Sequence, residues 1–203
     1  MIKLKILLLN GSPNEKGNTY YLLDKIAEKI NKEGIDTEII NVHKAVCDAK
    51  WPFCIVCSNP CNKACYKDTL LHEAYEKMKN ADCLIFGSPV YFGNMSGQLK
   101  TFFDKTRAYR GEMAFVGKPA GVVTVGASKY GGQETTIGSI VDTLQIQGMT
   151  IFNNGYEGIN AGHKGVLAQR PAADDENAKA LIEGMAKRAV LEAKKYNYSK
   201  KGC

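Results

Sequence analysis

The 203-residue chain is predicted to be an α/β protein in which a doubly wound, five-stranded parallel sheet lies between two layers of helices. Short apolar runs of strand length alternate five times with segments whose apolar residues recur at helical spacing. Three of the strands end in loops rich in Gly, Ser, Asn or Tyr, as expected where a ligand binds beyond parallel strands. Without a repeat or linker in the sequence, residues 1–203 are expected to form a single domain with a cysteine-rich insertion at about 42–68.

Each element follows from the period of its apolar residues and from Gly or Pro at its ends. In chain order, we expect a strand at 3–9, a helix at 18–32, a strand at 36–41, a long loop at 42–68, a helix at 69–79, a strand at 82–87, a helix at about 95–109, a strand at 119–125, a Gly-rich turn at 126–132 that opens a helix to about 147, a strand near 149–153, an irregular segment at 154–172 and a last helix at 174–196.

Composition limits the environment and the partners of the protein. Hydrophobic residues make up 44% and charged residues 24%, as in soluble globular proteins, and no apolar run approaches the ~20 residues that span a bilayer. The chain begins without a signal-peptide layout, so we expect a cytoplasmic protein that does not bind a membrane. The net charge of +6 is concentrated in the tail, which favours a solvated helix end over a nucleic-acid surface.

The loop after the first strand has the composition of an anion site made from backbone. Gly11 and Gly17 allow tight turns, and free N–H groups at the start of the next helix would point at the ligand. Ser12, Asn18 and Thr19 add side-chain donors and are candidate phosphate ligands, although Asn18 and Thr19 could also be simple helix caps. The loop matches neither the dinucleotide-binding fingerprint nor the P-loop, which argues against both classes.

Three segments together resemble one known family. Residues 10–19 read NGSPNEKGNT, residues 81–95 read ADCLIFGSPVYFGNM and residues 98–104 read QLKTFFD. In this order they resemble the NADPH-dependent FMN reductase family on the flavodoxin-like fold, over residues 1 to about 150. The resemblance implies noncovalent FMN, with its phosphate in the first loop and its isoalloxazine ring between the second and third loops. The residues expected to contact FMN are Ser12, Pro13, Asn14, Gly17, Asn18, Thr19, Ser88, Pro89, Val90, Tyr91, Phe92, Gly93, Asn94, Ser128, Tyr130, Gly131 and Gly132.

The second and third loops each allow a structural alternative. Tyr91 and Phe92 offer aromatic faces to a flavin but could also be ordinary core residues. Gly93 and Asn94 could bring backbone N–H groups to the N5 or O4 edge of the ring. The third loop could be a plain strand-to-helix turn, because Gly-rich turns occur there without any ligand.

Four of the seven cysteines fall within twelve residues, spaced C-x2-C-x3-C-x3-C. Cys54, Cys57, Cys61 and Cys65 could hold a [4Fe–4S] cluster or a zinc ion, or could be free or reversibly disulfide-bonded thiols. Cys47 could replace one ligand. The iron–sulfur flavoprotein branch of the family has a compact four-cysteine motif in this segment, usually with two residues in its middle gap and a longer last gap, where this chain has three and three.

The resemblance implies an FMN-dependent oxidoreductase that moves electrons between a reduced donor, FMN and a [4Fe–4S] cluster. The donor would be NAD(P)H or ferredoxin, and the acceptor a small molecule or a protein. No side-chain acid or base is expected, since hydride moves directly to the flavin. Two alternatives stay open: an NAD(P)H-dependent FMN or quinone reductase without a cluster, and a flavodoxin-type electron carrier. The family is commonly dimeric or tetrameric, which implies a homodimer or homotetramer here.

Overall fold

The computed structural model describes residues 4–158 and 162–200. Within this part of the chain, strands and helices alternate from the first strand to the last helix. Their bounds are β1 (Lys5–Asn10), α1 (Asn18–Lys32), β2 (Asp36–Asn41), α2 (Val42–Cys47), α3 (Leu70–Asn80), β3 (Cys83–Pro89), α4 (Gly97–Asp104), α5 (Arg107–Gly111), β4 (Pro119–Gly126), α6 (Gln133–Ile146), β5 (Thr150–Ile151), β6 (Val166–Gln169) and α7 (Glu176–Ser199).

The strands form one parallel sheet in the order β2-β1-β3-β4-β5, with β6 also paired to β4. In the centre of the sheet, Leu8 lies opposite Ile39 on one side and Ile85 on the other. The chain moves from β1 to β2 in one direction and from β3 to β4 in the other. The strand order therefore reverses at β1, and the crevice that a doubly wound sheet offers to ligands lies at the carboxyl ends of β1 and β3.

Helices cover both faces of the sheet, because alternate residues of each strand point to opposite sides. Leu9 and Phe86 pack with α3, α4 and α6 in one hydrophobic core. Leu8 and Ile85 pack with α1 and α7 in the other. The three-layer, flavodoxin-like architecture that the sequence predicts is thus confirmed.

The outer edge of β4 is shared by two short strands placed end to end. β5 pairs with Pro119–Ala120 and β6 with Val123–Gly126, so together they fill the fifth position of the sheet. The strand predicted near 149–153 is correct only for two residues, and the irregular segment predicted at 154–172 contains β6. Its four residues alternate between buried and more exposed, which is a strand pattern too short to stand out among the glycines around it. Residues 159–161 of that segment lie outside the described residues.

Two other elements differ from the sequence prediction. The loop predicted at 42–68 begins with α2, whose Val42, Ala45 and Val46 bury one face against the sheet. The helix predicted at about 95–109 is divided into α4 and α5, because the backbone leaves the helix at Lys105 and Thr106. The first strand begins at Lys5, and residue 3 of its predicted range lies outside the described residues.

Across residues 4–158 and 162–200, no helix combines the length and the apolar character that crossing a bilayer requires.

Candidate functional site

The loops that follow β1, β3 and β4 meet at one edge of the sheet, as the sequence predicts. The Gly11 N–H donates to the Gly87 carbonyl at 2.8 Å, and the buried Ser96 hydroxyl donates to the Gly11 carbonyl at 2.5 Å. A Cβ at Gly132 would lie only 3.0 Å from the Gly93 Cα. The first loop therefore contacts the second, and the second contacts the third.

The first loop closes into hydrogen-bonded turns that lead into an open helix N-terminus. The Asn10 side chain accepts from the Ser12 N–H at 3.2 Å, and the Ser12 hydroxyl accepts from the Asn14 N–H at 3.1 Å. Gly17 is the residue at the N-cap of α1, no side chain caps the helix, and no acidic residue lies in its first turn. The first amides of α1 are thus left for a ligand, and the positive end of the helix dipole lies behind them.

The structure does not support the interpretation of Asn18 and Thr19 as helix caps. The Asn18 side chain instead accepts from the Ala172 N–H at 2.8 Å, which ties the first loop to the segment after β6. Thr19 is buried, and a Cβ at Gly87 would lie 2.8 Å from its methyl group. Of the predicted phosphate ligands, Asn18 is exposed, while Ser12 and Thr19 are largely enclosed by the loop and β3.

The second loop ends in a tight two-residue turn. Tyr91 and Asn94 exchange backbone hydrogen bonds of 2.9 and 3.0 Å, and both residues between them, Phe92 and Gly93, have positive φ angles of 51° and 73°. The Phe92 side chain is fully exposed and Tyr91 is 46% exposed, so neither belongs to the core. A bulky residue held in left-handed backbone, with its ring in solvent, is typical of a binding surface.

The structure shows which polar groups of the second loop are already used within the protein. The Asn94 N–H is used within the turn, and its side-chain oxygen accepts from Met95 N–H and the Ser139 hydroxyl, each at 2.8 Å. Asn94 therefore cannot offer its amide to a flavin edge in this arrangement, whereas Gly93 uses no N–H in the turn. Ser88 is buried and accepts from the Ser96 N–H at 3.0 Å, which joins the loop to the start of α4.

The third loop is held by a residue that the sequence did not single out. The buried Gln133 side chain accepts from the Gly131 N–H at 2.9 Å and donates to the Ser128 carbonyl at 2.7 Å. A Cβ at Gly126 would lie 2.4 Å from the Gln133 side chain, so this glycine makes room for it. The loop thus presents Tyr130, which is 92% exposed, from a fixed backbone.

The four clustered cysteines are free thiols that differ in exposure. Cys57 is exposed, Cys65 is buried, and Cys54 and Cys61 are intermediate. Among the described residues, no three His, Cys, Asp or Glu side chains are close enough to share a metal ion. Cys47 lies outside the cluster, with its sulfur 3.7 Å from His43 Nδ1.

Two buried polar side chains lie beneath the cysteine segment. Lys105 Nζ is 3.6 Å from Cys65 Sγ, and the Lys105 side chain is 1% exposed. The buried Tyr66 hydroxyl has no hydrogen-bond partner among the described residues. Burial raises the pKa of Tyr66, and negative charge at Cys61 and Cys65 raises it further. These residue types suit an anionic group held by thiolates: the thiols can be its ligands, Lys105 can balance its charge and the Tyr66 hydroxyl can donate to it. The thiols are not in a ligating arrangement in this structure.

The cysteine within the sheet has a structural role. Cys83 lies within β3 at 0% exposure, and burial raises the pKa of its thiol well above the ordinary range. It behaves as a small hydrophobic residue of the core between the sheet, α1 and α7.

The fold defines the class of the protein as a flavodoxin-like α/β protein, and its first loop leads into a helix α1 that no side chain caps. The family model for NADPH-dependent FMN reductase matches residues 4–164. The chain therefore belongs to the NADPH-dependent FMN reductase family and is a flavin-dependent oxidoreductase.

Relatives and solved structures agree with this assignment. An iron–sulfur flavoprotein of Methanocaldococcus jannaschii is 38% identical over 165 residues, which cover 80% of this chain and 83% of the relative. The iron–sulfur flavoprotein of Methanosarcina thermophila is 32% identical over 97% of this chain and 100% of its own. A crystal structure of RosB with bound 8-demethyl-8-formylriboflavin-5'-phosphate has a TM-score of 0.74 at 18% identity, over 96% of this chain and 81% of that chain, which shows the fold.

Proposed function

We propose that this flavin-dependent oxidoreductase binds FMN at the carboxyl edge of the sheet and exchanges electrons between FMN and a [4Fe–4S] cluster held by Cys54, Cys57, Cys61 and Cys65. One observation carries the proposal. Ser96, at the N-cap of α4, is hydrogen-bonded to Gly11 in the first loop and to Ser88, and Lys105, at the C-cap of α4, contacts Cys65. A single eight-residue helix, about 12 Å long, therefore connects the flavin loops with the cysteine segment.

The phosphate of FMN would lie in the first loop. No side chain caps the amides at the start of α1. The first turn of α1 also contains no acidic side chain that would repel a dianion. We assign Ser12, Pro13, Asn14, Gly17, Asn18 and Thr19 to this end of the cofactor. RosB, which has a similar fold, was solved with a bound riboflavin phosphate derivative, and this supports a flavin phosphate as the ligand.

The isoalloxazine ring would lie between the second and third loops, which contact each other at Gly93 and Gly132. The exposed rings of Tyr91, Phe92 and Tyr130 can cover a flavin and exclude water from it. When bound, FMN supplies the hydride and one-electron chemistry, while these loops orient it. The other assigned contacts are Ser88, Pro89, Val90, Asn94, Ser128, Gly131 and Gly132.

The electron donor would be NAD(P)H, as the family description indicates, or reduced ferredoxin. The cluster is supported by the number and type of ligands and by the relatives named iron–sulfur flavoprotein. When bound, it supplies one-electron transfer. The acceptor, a small molecule or a protein, stays a prediction, as do the homodimer or homotetramer, the cytoplasmic location and the single domain over residues 1–203.

A second candidate is an NAD(P)H-dependent FMN or quinone reductase without a cluster. The four thiols are free, and no three of them lie close enough to share a metal ion in this arrangement, so this candidate stays open. This second candidate has the same flavin site as the first, but its electrons pass from FMN directly to the acceptor and not to a cluster.

Metal analysis and spectroscopy on anaerobically purified protein distinguish the two candidates. We expect one FMN per chain, with iron and acid-labile sulfide near four each, and flavin bands on a broad absorption that dithionite bleaches. NADPH, NADH and reduced ferredoxin, added separately, then identify the donor by the rate at which the main visible flavin band is lost. FMN with neither iron nor sulfide would exclude the cluster and leave the simple reductase, and a protein that binds no FMN would overturn the proposal.

A further inference from the structure

Lys105 is a buried lysine without a buried carboxylate beside it. Its side chain is 1% exposed at the end of α4, and among the described residues no acidic side chain forms an ion pair with it. The hydrogen-bond partner of its Nζ is the sulfur of Cys65, at 3.6 Å. A buried ammonium with only a thiol beside it is costly unless a negative charge compensates it.

The cysteine segment contacts a second cation, Arg107, and contains a hydroxyl without an acceptor in the described chain, that of Tyr66. Arg107, two residues after Lys105, donates to the Ser58 carbonyl at 3.3 Å. The Tyr66 hydroxyl is buried with no acceptor among the described residues. Cys65 itself is fixed, because its carbonyl accepts from the Lys50 N–H at 2.9 Å. Two cations and an unused hydroxyl donor therefore lie at this segment, and they would suit a group with negative charge and hydrogen-bond acceptors.

The compensating charge belongs to the group that the cysteines hold. The four iron ions and four sulfide ions of an oxidised [4Fe–4S] core would together carry a charge of about +2, so four thiolate ligands would make the whole group anionic. One-electron reduction adds a further negative charge to it. A fixed cation in a water-poor site therefore stabilises the reduced form more than the oxidised form and raises the reduction potential.

We propose that Lys105 is the buried counter-charge of the cysteine-held cluster and sets its reduction potential, with the Tyr66 hydroxyl as a hydrogen-bond donor to the same group. This inference rests on the cluster of the proposed function. Lys105 is a positioning and tuning residue, since it acts through Cys65 and the cluster and does not touch the flavin loops. Because α4 begins at the flavin loops, the same helix fixes the distance from the flavin to this charge.

The test is a dithionite redox titration of the full-length holoprotein, monitored by the visible iron–sulfur band and by electron paramagnetic resonance. We expect Lys105→Met, which removes the charge and keeps the apolar stem, to shift the one-electron equilibrium toward the oxidised form about tenfold or more, ~59 mV. Lys105→Arg should stay close to wild type. Tyr66→Phe should shift the equilibrium in the same direction by a smaller factor, since it removes one neutral donor.

Matched controls separate this effect from a loss of structure or of cluster. Lys100→Met removes an exposed lysine of the same helix, paired with Asp104, and should leave the potential unchanged. The FMN potential should be the same in every variant. If Lys105→Met cannot be purified with iron, Lys105→Gln, which also removes the charge but keeps a polar end, takes its place in the same comparison with Lys105→Arg.

Three outcomes would overturn the inference. Lys105→Met with wild-type iron, sulfide and potential excludes Lys105 as the counter-charge and leaves the proposed function intact. Lys105→Arg that shifts as far as Lys105→Met shows that charge is not the cause. Wild-type protein with FMN but with zinc, or with neither iron nor sulfide, removes the cluster and this inference together.

Discussion

The flavin edge and the cysteine segment, residues 48–68, are built by different means. At the flavin edge, the loops follow strands of one sheet and are joined by short hydrogen bonds such as Gly11 to Gly87 and Ser96 to Gly11. The cysteine segment contains neither helix nor strand. It is joined to the rest of the chain by a few contacts, among them Leu70 N–H to Asp48 at 2.7 Å.

The two regions also differ in what they expose. The cysteine segment leaves Trp51, Phe53, Ile55 and Val56 in solvent, and Val56 has a φ of 52° that β-branched residues rarely adopt. No three of its thiols lie close enough together to share a metal ion. The sheet thus holds the flavin loops in place, whereas the proposed cluster site would form only if a bound group drew the four thiols together. This difference leads to four predictions, from the largest expected effect to the smallest.

Removing one thiol of the cysteine segment should abolish cluster binding there and leave FMN binding at the flavin loops intact. We expect Cys61→Ser to lose nearly all iron and acid-labile sulfide, because three thiolates cannot complete the four-cysteine set. FMN per chain should be unchanged, since the flavin loops make their contacts elsewhere. Metal, sulfide and FMN analysis of the same preparation checks both statements.

The matched control is Cys47→Ser, which changes an exposed cysteine at the end of α2. It should keep wild-type iron. Full iron in Cys61→Ser would rule out the proposed ligand set, and a loss of FMN together with iron would show that the two regions are not independent.

Gly11→Ala tests whether the flavin edge is prepared in advance. A Cβ there would lie 2.7 Å from the Gly87 carbonyl and 2.9 Å from Leu99 Cβ, neither of which can move freely. We expect FMN affinity to fall about tenfold or more, ~1.4 kcal/mol. The free energy of unfolding should fall by about 1–3 kcal/mol.

Fluorescence titration of the apoprotein with FMN and urea unfolding measure the two effects. Gly97→Ala is the control, because a Cβ there meets nothing within 4 Å. Equal FMN affinity in both variants would mean that the first two loops need not be held together to bind the cofactor.

Phe92→Gly separates binding from stability at the second loop. Glycine adopts left-handed backbone without strain, so we expect the free energy of unfolding to stay unchanged or rise by up to about 1 kcal/mol. FMN affinity should fall by a smaller factor than in Gly11→Ala, roughly threefold to tenfold, because one aromatic face is lost. Urea unfolding and FMN titration provide both numbers.

Met113→Gly is the control for strain. Met113 has a φ of 53° and is exposed, outside the three flavin loops. It should show the same change in stability with no change in FMN affinity. A parallel loss of affinity in the control would remove Phe92 from the flavin site.

Lys118 lies before β4, at the end of the sheet opposite the flavin loops. Replacing it tests whether the flavin loops or the cysteine segment depend on this buried lysine. Its buried Nζ donates to the carbonyls of Ala81 and Lys79, and burial lowers its pKa to about 8, with Lys200 adding to the effect. Above pH 8 the folded protein loses this proton, whereas the unfolded chain keeps it up to about pH 10.5. Stability should therefore rise with pH in this window, by about 1–2 kcal/mol between pH 8 and 10.

Lys118→Met should abolish that rise relative to wild type, while Lys100→Met should keep it. Urea unfolding at several pH values measures the free energy of unfolding of both proteins. Subtracting the two curves removes the contribution of tyrosine ionisation, which both proteins share. FMN and iron content should be unaffected. Parallel pH curves for wild type and Lys118→Met would show that the lysine is not buried in its charged form.

Local pattern was sufficient for most of the fold. The ranges predicted for α1 and β2 agree with the structure, because the helical and strand periods of their apolar residues are long enough to read. β6 was missed, since four residues between glycines carry too little pattern. The division between α4 and α5 was missed because Lys105 is an ordinary helix residue in sequence, and its contact with Cys65, 40 residues away, appears only in the folded chain.

The sequence by itself determined the class of fold and the loops that meet at one edge, and it predicted the residues proposed to hold a phosphate and an iron–sulfur group. These depend on residue type and short spacing, which the chain carries locally. Only the tertiary structure decided that Gln133 fixes the third loop, that the Asn94 amide is used up in a turn, and that Lys105 and Tyr66 lie beneath the cysteines. Each of these depends on packing, which decides which polar groups are removed from water and which partners are left to them.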